Sequence, residues 1–269
     1  MAADMSGTAP PWPGPEVITD RLRQAGCVFA AEEATILREY AGDPTELEEW
    51  CGRREAGEPL EQIVGRVGFG GLRLSVGPGV FVPRQRSWLL AQKTIAAVLR
   101  RRDQVVLEAF CGVAPIASAV GHAAPWLDIH VADIDDRALA YAEANLPGRA
   151  VLHHGPGFTC LPEALRGRID VIAAVAPYVP AGAYAFLPRE ALDHEPHRAL
   201  FGGLDGLDHI NGLIEGAPEW LSANGLVFLE MHRDQVPAVC RCAGRNGFTV
   251  ETFVGDDRQT AVVGMHRIR

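Results

Sequence analysis

Two acidic residues each close a short apolar run, and a glycine-bearing loop lies between them. Val105-Val106-Leu107 runs into Glu108, and Ile129 to Ala132 runs into Asp133. After Glu108 come Phe110-Cys111-Gly112-Val113-Ala114 and a small-residue helix from Ile116 to Gly121. Strand, loop, helix and a second strand ending in an acid about 20 residues further on make the nucleotide-binding pattern of doubly wound α/β folds. The second acid accepts ribose hydroxyls, and glycine lets a ligand approach the backbone. The loop is degenerate, however. Phe110 and Ala114 stand where a G-x-G-x-G loop has its outer glycines, and Pro115 follows. Taken alone, it suits a plain βαβ turn as well as a nucleotide site.

The elements that must position these residues follow from periodicity. Residues 1–15 are Pro/Gly-rich and read as a disordered leader. Residues 16–66 carry helical spacing: Ile18, Leu22 and Ala25, then Ala34, Ile36 and Leu37, then a helix started by Asp43-Pro44-Thr45. That is a small helical domain. Residues 67–84 alternate apolar and polar residues around Gly77-Pro78-Gly79, which predicts a connecting hairpin turning there. Residues 85–269 alternate strands and helices. Strands are expected at Val105, Ile129, Val151, Ile169 and Gly225, with a final antiparallel pair from Phe248 and Thr260. This is an α/β class chain whose ligands belong at the carboxyl ends of the strands.

Composition narrows the function. A chain of 269 residues, 48% hydrophobic, can bury a core of ordinary α/β size with a small extra domain. Its net charge of −9 argues against non-specific nucleic-acid binding, and Arg84/Arg86 and Arg100-Arg101-Arg102 read as solvated helix ends. The six cysteines are scattered without a C-x-x-C pair, so free thiols are expected rather than a metal site. His153, His154 and His194 lack metal-ligand spacing and read as surface or loop residues. The N-terminus lacks a signal-peptide pattern, and no apolar run reaches the roughly 18 residues that span a bilayer. A reducing cytoplasm is the expected location.

The ordered motifs are more specific than the loop. They are Gly57-Glu58-Pro59-Leu60, Gly79-Val80-Phe81-Val82-Pro83-Arg84, Ala132-Asp133-Ile134-Asp135, Ala176-Pro177-Tyr178-Val179-Pro180, Asp193-His194-Glu195-Pro196 and Gly202-Gly203-x-Asp205-Gly206-Leu207-Asp208. In this order the chain resembles the glutamine-N5 methyltransferases that act on peptide-chain release factors, from about Glu16 to the C-terminus. The resemblance implies a seven-stranded, Rossmann-like class I methyltransferase core using S-adenosylmethionine. It also implies an N-terminal helical domain that helps hold a protein substrate with a Gly-Gly-Gln loop. Glu108, Phe110, Gly112, Asp133 and Ile134 fall on the family's cofactor side. Val175, Ala176, Pro177 and Tyr178 fall on its catalytic Asn-Pro-Pro-Tyr loop, where the Asn side chain and a backbone carbonyl accept the amide hydrogens.

The chain departs from that pattern inside its functional loops. Val175 replaces the Asn and cannot accept a hydrogen bond. Phe110 replaces a small residue, and Ala114 adds a methyl group. After the third strand, Gly155-Pro156-Gly157-Phe158 lacks the Asp that takes the adenine amino group. One lost charge-assisted hydrogen bond weakens binding by roughly 1.5–3 kcal/mol. Trp88 stands at the family's Glu in its Pro-Arg-x-x-Thr-Glu stretch. For Asp133, ribose binding competes with capping the helix that starts at Arg137. Three readings follow: an S-adenosylmethionine-dependent methyltransferase with an altered amide clamp and release-factor or other acceptor, a catalytically inactive binding module, and an enzyme repurposed for a small molecule.

Overall fold

The computed structural model describes residues 12–100 and 104–268, so most of the expected leader and part of the Arg100-Arg101-Arg102 cluster lie outside the described residues. Four helices come first: α1 (Pro15–Gln24), α2 (Ala30–Tyr40), α3 (Pro44–Glu55) and α4 (Leu60–Val64). Asp43 caps α3, its carboxylate accepting from the N–H groups of Thr45 and Glu46. Ile18, Leu22, Ala34, Leu37, Leu47, Cys51 and Ile63 close a separate core for this unit.

A short hairpin follows, β1 (Arg66–Phe69) and β2 (Leu72–Ser75). Its turn is Gly70-Gly71, both at positive φ, and not Gly77-Pro78-Gly79 as periodicity predicts. The ladder stops at Ser75 because the Asn145 amide pairs with both its N–H and its carbonyl. Gly77 is small for another reason: a Cβ there would run into the Tyr141 hydroxyl. Trp88 covers the hairpin, packing edge-on against Phe69 with ring centroids 5.6 Å apart. It has become a structural residue.

The remaining elements are α5 (Trp88–Val98), β3 (Val105–Ala109), α6 (Pro115–Ala123), β4 (Asp128–Asp133), α7 (Asp136–Asn145), β5 (Val151–His154), β6 (Ile169–Ala174), α8 (Arg189–His194), α9 (Asp208–Trp220), β7 (Leu221–His232), α10 (Val236–Arg245), β8 (Phe248–Val254) and β9 (Thr260–Arg267). They form one seven-stranded sheet in the order β5-β4-β3-β6-β7-β9-β8, with β9 antiparallel to its neighbours. Alternate residues feed opposite faces. Val106, Val171 and Ala173 pack with α5, α6 and α7, whereas Leu107, Ile172 and Ala174 pack with α9 and α10. The strand order reverses between β3 and β6, which puts the ligand crevice at their carboxyl ends.

Two motifs distant in sequence are joined by a buried ion pair. Glu195, whose side chain is 1% exposed, receives the Arg84 guanidinium at 2.6 Å and the Val82 N–H at 3.2 Å. The Pro83-Arg84 and Glu195-Pro196 motifs are therefore two halves of one clamp beside the crevice. The helical unit is tied to the same region. Arg54 holds Glu33 at 2.6 Å and Glu190 of α8 at 3.0 Å, and Gln62 donates to the Val80 carbonyl at 2.9 Å.

Candidate active site

A cleft of about 990 Å³ opens at the strand-order reversal. Its floor is set by register. Ala109 of β3 lies between Ala132 of β4 and Ala174 of β6, and Ala174 pairs with Leu229 of β7. The next residues, Phe110, Asp133, Val175 and Glu230, therefore emerge side by side, and all four line the cleft.

The loop after β3 keeps the backbone of a three-glycine loop without its outer two glycines. Phe110, Gly112 and Ala114 have φ of 53°, 54° and 59°. A side chain in this left-handed region costs about 1–2 kcal/mol. Two such residues, held here by their surroundings, mark a conformation that the fold maintains against local preference. Gly112 faces open space, where a Cβ would meet nothing within 4 Å. The Phe110 ring leans on His209 of α9, centroids 5.2 Å apart, and packs with the cluster on that face while still bordering the cleft.

The two acids at the strand ends do different work. Glu108 is buried and accepts from the N–H groups of Ala117 at 2.6 Å and Ile116 at 3.3 Å. It satisfies the first turn of α6, whose N-cap, Ala114, has no side chain to do so. Burial pushes its carboxyl up to about 8, against the pull of those two N–H groups. Asp133 accepts from Gly112 N–H at 2.7 Å through Oδ2 and from Asp135 N–H at 2.9 Å through Oδ1. Capping of α7 falls to Asp135, which receives Arg137 N–H at 3.0 Å, so the alternative role considered for Asp133 belongs to its neighbour. Each Asp133 oxygen retains a free lone pair, and its side chain borders the cleft. Ile134, half exposed beside it, forms an apolar wall.

Glu108 leads to a pH prediction. Its folded value lies above its ordinary 4.5, so its contribution to stability is complete below that value and is lost as pH rises through about 8. Glu108→Gln should flatten the pH dependence of unfolding free energy between about pH 5 and 8, where one such group contributes a slope of at most about 1.4 kcal/mol per pH unit. Urea titrations at several pH values measure this. An unchanged slope would remove Glu108 as its source.

The loop after β6 is held from three directions. Val175 is half-buried, its side chain packed against the apolar cluster on the α5–α7 face; Ala176 and Pro177 are buried. The Tyr178 carbonyl accepts from the Gln235 amide at 2.9 Å, and Val179 O accepts from Gly202 N–H at 3.0 Å. Gly202 and Gly206 are glycines because a Cβ would stand 2.2 Å from the Pro177 carbonyl oxygen or 2.1 Å from that of Tyr178. The glycine-rich motif before α9 is thus a cradle for Ala176-Pro177-Tyr178. Gln235 had no local sequence signal. Glu230 had one: an acid closing an apolar strand, the same signal as Glu108 and Asp133.

At the far end, Gly155-Pro156-Gly157 borders the cleft, and the Phe158 ring stacks on Trp220 with centroids 6.0 Å apart. Thr159 spends its hydroxyl proton on the Pro156 carbonyl at 2.7 Å. His153, read from sequence as a surface or loop residue, is instead buried against His130, ring nitrogens 2.9 Å apart, because both side chains point inward from adjacent strands. Burial, and after it the neighbouring His130, lowers the His153 pKa.

The cleft has the volume of a small-molecule site, an open glycine and a carboxylate, Asp133, at the end of β4. These features fit a nucleoside-bearing methyl donor. No protein-family model matches the chain. It is 39% identical over 197 residues to a release factor glutamine methyltransferase of Streptomyces coelicolor, spanning 70% of this chain and 69% of that one. It is 35% identical over 211 residues to the protein of that name from Mycolicibacterium smegmatis, covering 77% and 70%. A third, from Thermodesulfovibrio yellowstonii, is 31% identical over 259 residues, covering 94% and 89%. Among solved structures, a Pyrococcus furiosus methyltransferase superposes with a TM-score of 0.53 at 17% identity, over 73% of this chain and 89% of that one. A ribosomal protein L11 methylase from Lactobacillus delbrueckii gives 0.52 at 16%, over 72% and 84%. These two likenesses speak to the fold alone.

Proposed function

Since the chain belongs to the release factor glutamine methyltransferase family, we propose that it transfers a methyl group from S-adenosylmethionine to the side-chain nitrogen of a glutamine in a peptide-chain release factor. The observation that carries this reading is that Asp133 at the end of β4 and Val175 at the end of β6, on either side of β3, line one cleft. It supports a ribose acceptor and a methyl-acceptor loop sharing that cleft. The half-buried, apolar Val175 does not by itself favour the small-molecule alternative, because the loop that follows it keeps its full support from Gly202, Gly206 and Gln235.

When bound, S-adenosylmethionine supplies an electrophilic methyl group. The chain's own residues do the rest. Asp133 would accept the ribose hydroxyls. Gly112 leaves room for the cofactor against the backbone, and Ile134 offers an apolar wall to the base. Glu108 fixes the loop through α6 and also borders the cleft. Gly202, Gly206 and Gln235 hold the Ala176-Pro177-Tyr178 loop still, and that loop would orient the glutamine nitrogen for in-line transfer. For a weak amide nucleophile this alignment is the main source of rate. The helical domain would hold the protein substrate. Six free cysteines suit a reducing cytoplasm. Among the described residues, no helix is long and apolar enough to cross a membrane.

Val175→Asn tests the acceptor loop. It adds a side-chain oxygen for the amide hydrogens and should raise the rate of methyl transfer to a Gly-Gly-Gln peptide by about tenfold, the worth of one hydrogen bond of roughly 1.4 kcal/mol. Initial rates with saturating S-adenosylmethionine measure it. A rate that falls or stays level would show that the nitrogen does not lie against residue 175.

A further inference from the structure

Glu230 is an expensive residue that the mechanism above leaves unused. Its side chain is 1% exposed at the carboxyl end of β7, its Oε2 makes no hydrogen bond of normal geometry among the described residues, and the Ser87 side chain offsets only part of its burial. A buried carboxylate with an unsatisfied oxygen is destabilising unless it serves something nearby. What it serves is on the neighbouring loop. The Tyr178 hydroxyl donates to Glu230 Oε1 at 3.3 Å, and both residues line the cleft with Val175.

A phenol has one proton to give. With that proton on Glu230 Oε1, the Tyr178 oxygen faces the cleft as an acceptor. The Arg86 guanidinium lies 3.9 Å from Glu230 Oε1 and its charge also acts on the phenol; even with Arg86 on one of the oxygen's two lone pairs, the other is left for a ligand. Burial, followed by the Glu230 charge, pushes the phenol up to about 12, so its proton stays in place at neutral pH. The carbonyls of Tyr178 and Val179 are already held by Gln235 and Gly202, so the phenol oxygen is the side-chain acceptor this loop offers to the cleft.

We infer that the Tyr178 oxygen, held as an acceptor by Glu230, takes one N–H of the substrate amide in place of the side chain that Val175 lacks. Tyr178 touches the substrate; Glu230 acts through it as a positioning residue. The inference rests on the glutamine-methyltransferase reading for the identity of the amide, but its contact can be measured separately from transfer.

The experiment is calorimetric binding of two peptides in the presence of S-adenosylhomocysteine: one with the Gly-Gly-Gln primary amide, the other with the same glutamine as its N,N-dimethyl amide. The proteins are wild type, Tyr178→Phe and Glu230→Leu. Wild type should prefer the primary amide by about tenfold, the worth of one hydrogen bond. Tyr178→Phe should abolish that preference. Glu230→Leu frees the phenol proton to point outward and should abolish it too, without lowering the thermal midpoint, because a buried charge gives way to an apolar side chain of similar size. A purely structural Glu230 would show the reverse, a lower midpoint with preference intact. If Glu230→Leu fails to fold, Glu230→Asp, which withdraws the carboxylate, takes its place in the same comparison. Equal binding of the two peptides by wild type, or an undiminished preference in Tyr178→Phe, overturns the inference. Methyl transfer by the same wild-type protein reports on the function. Preference without transfer would sink the methyltransferase reading and leave the contact standing; transfer without preference would do the opposite.

Discussion

Asp133→Ala should weaken S-adenosylmethionine binding by about a hundredfold or more. The carboxylate has two tasks at once. It holds the N–H groups of Gly112 and Asp135, which sets the loop between β3 and α6, and it presents its remaining lone pairs to the cleft. Alanine removes both the ribose acceptors and the brace on the loop. Two charge-assisted hydrogen bonds of roughly 1.5 kcal/mol each, at the low end of their range, already amount to about two powers of ten in affinity. The left-handed backbone at Phe110 and Ala114 adds to the effect, because that loop relaxes once Gly112 is released. Isothermal calorimetry on the two proteins measures the ratio. An Asp133→Ala protein that binds as tightly as wild type would place the ribose elsewhere in the cleft.

Glu195→Ala should lower unfolding free energy by about 3 kcal/mol. Removing one partner of a buried ion pair leaves the other charge uncompensated, which typically costs about 3–5 kcal/mol. The lower end applies because Arg84 is 29% exposed and can turn to water. The Val82 N–H loses its acceptor in the same step. The loss should appear in urea as a lower midpoint at unchanged slope. It should also loosen Pro83 and Pro196, which both border the cleft, so peptide affinity should fall along with stability. A change below about 1 kcal/mol, the range of exposed pairs, would mean that the clamp is decorative.

Much of this arrangement was legible in the sequence because the signals were local. Apolar runs ending in Glu108 and Asp133 located two strand ends, and Asp43-Pro44 located a helix start. The alternation of Val171, Ile172, Ala173 and Ala174 between opposite faces follows from the strand expected there. What was not legible depended on contacts between distant segments. Gly70-Gly71 and Gly77-Pro78-Gly79 offer equal turn chemistry. In the folded chain Gly70-Gly71 makes the turn, and the Asn145 amide on α7 holds Ser75 near the far end of the ladder. The acid at the end of a strand does not announce its task either: Glu108 turns to the N-terminus of α6, and Asp133 turns to the loop and cleft. His153 looked like a strand-end surface residue because nothing in its own neighbourhood names His130 as its partner. The support of Tyr178 by Gly206 and Gln235 was hidden for the same reason.

The most direct measurement is mass spectrometry of a release factor carrying a Gly-Gly-Gln loop, incubated with the protein and S-adenosylmethionine, with fragmentation to locate any added mass. The expected result is a single methyl group on the glutamine side chain, absent when Asp133→Ala replaces the wild-type protein at the same cofactor concentration. A release factor that stays unmodified while S-adenosylmethionine is bound, or a methyl group on any other residue, would contradict the proposed function.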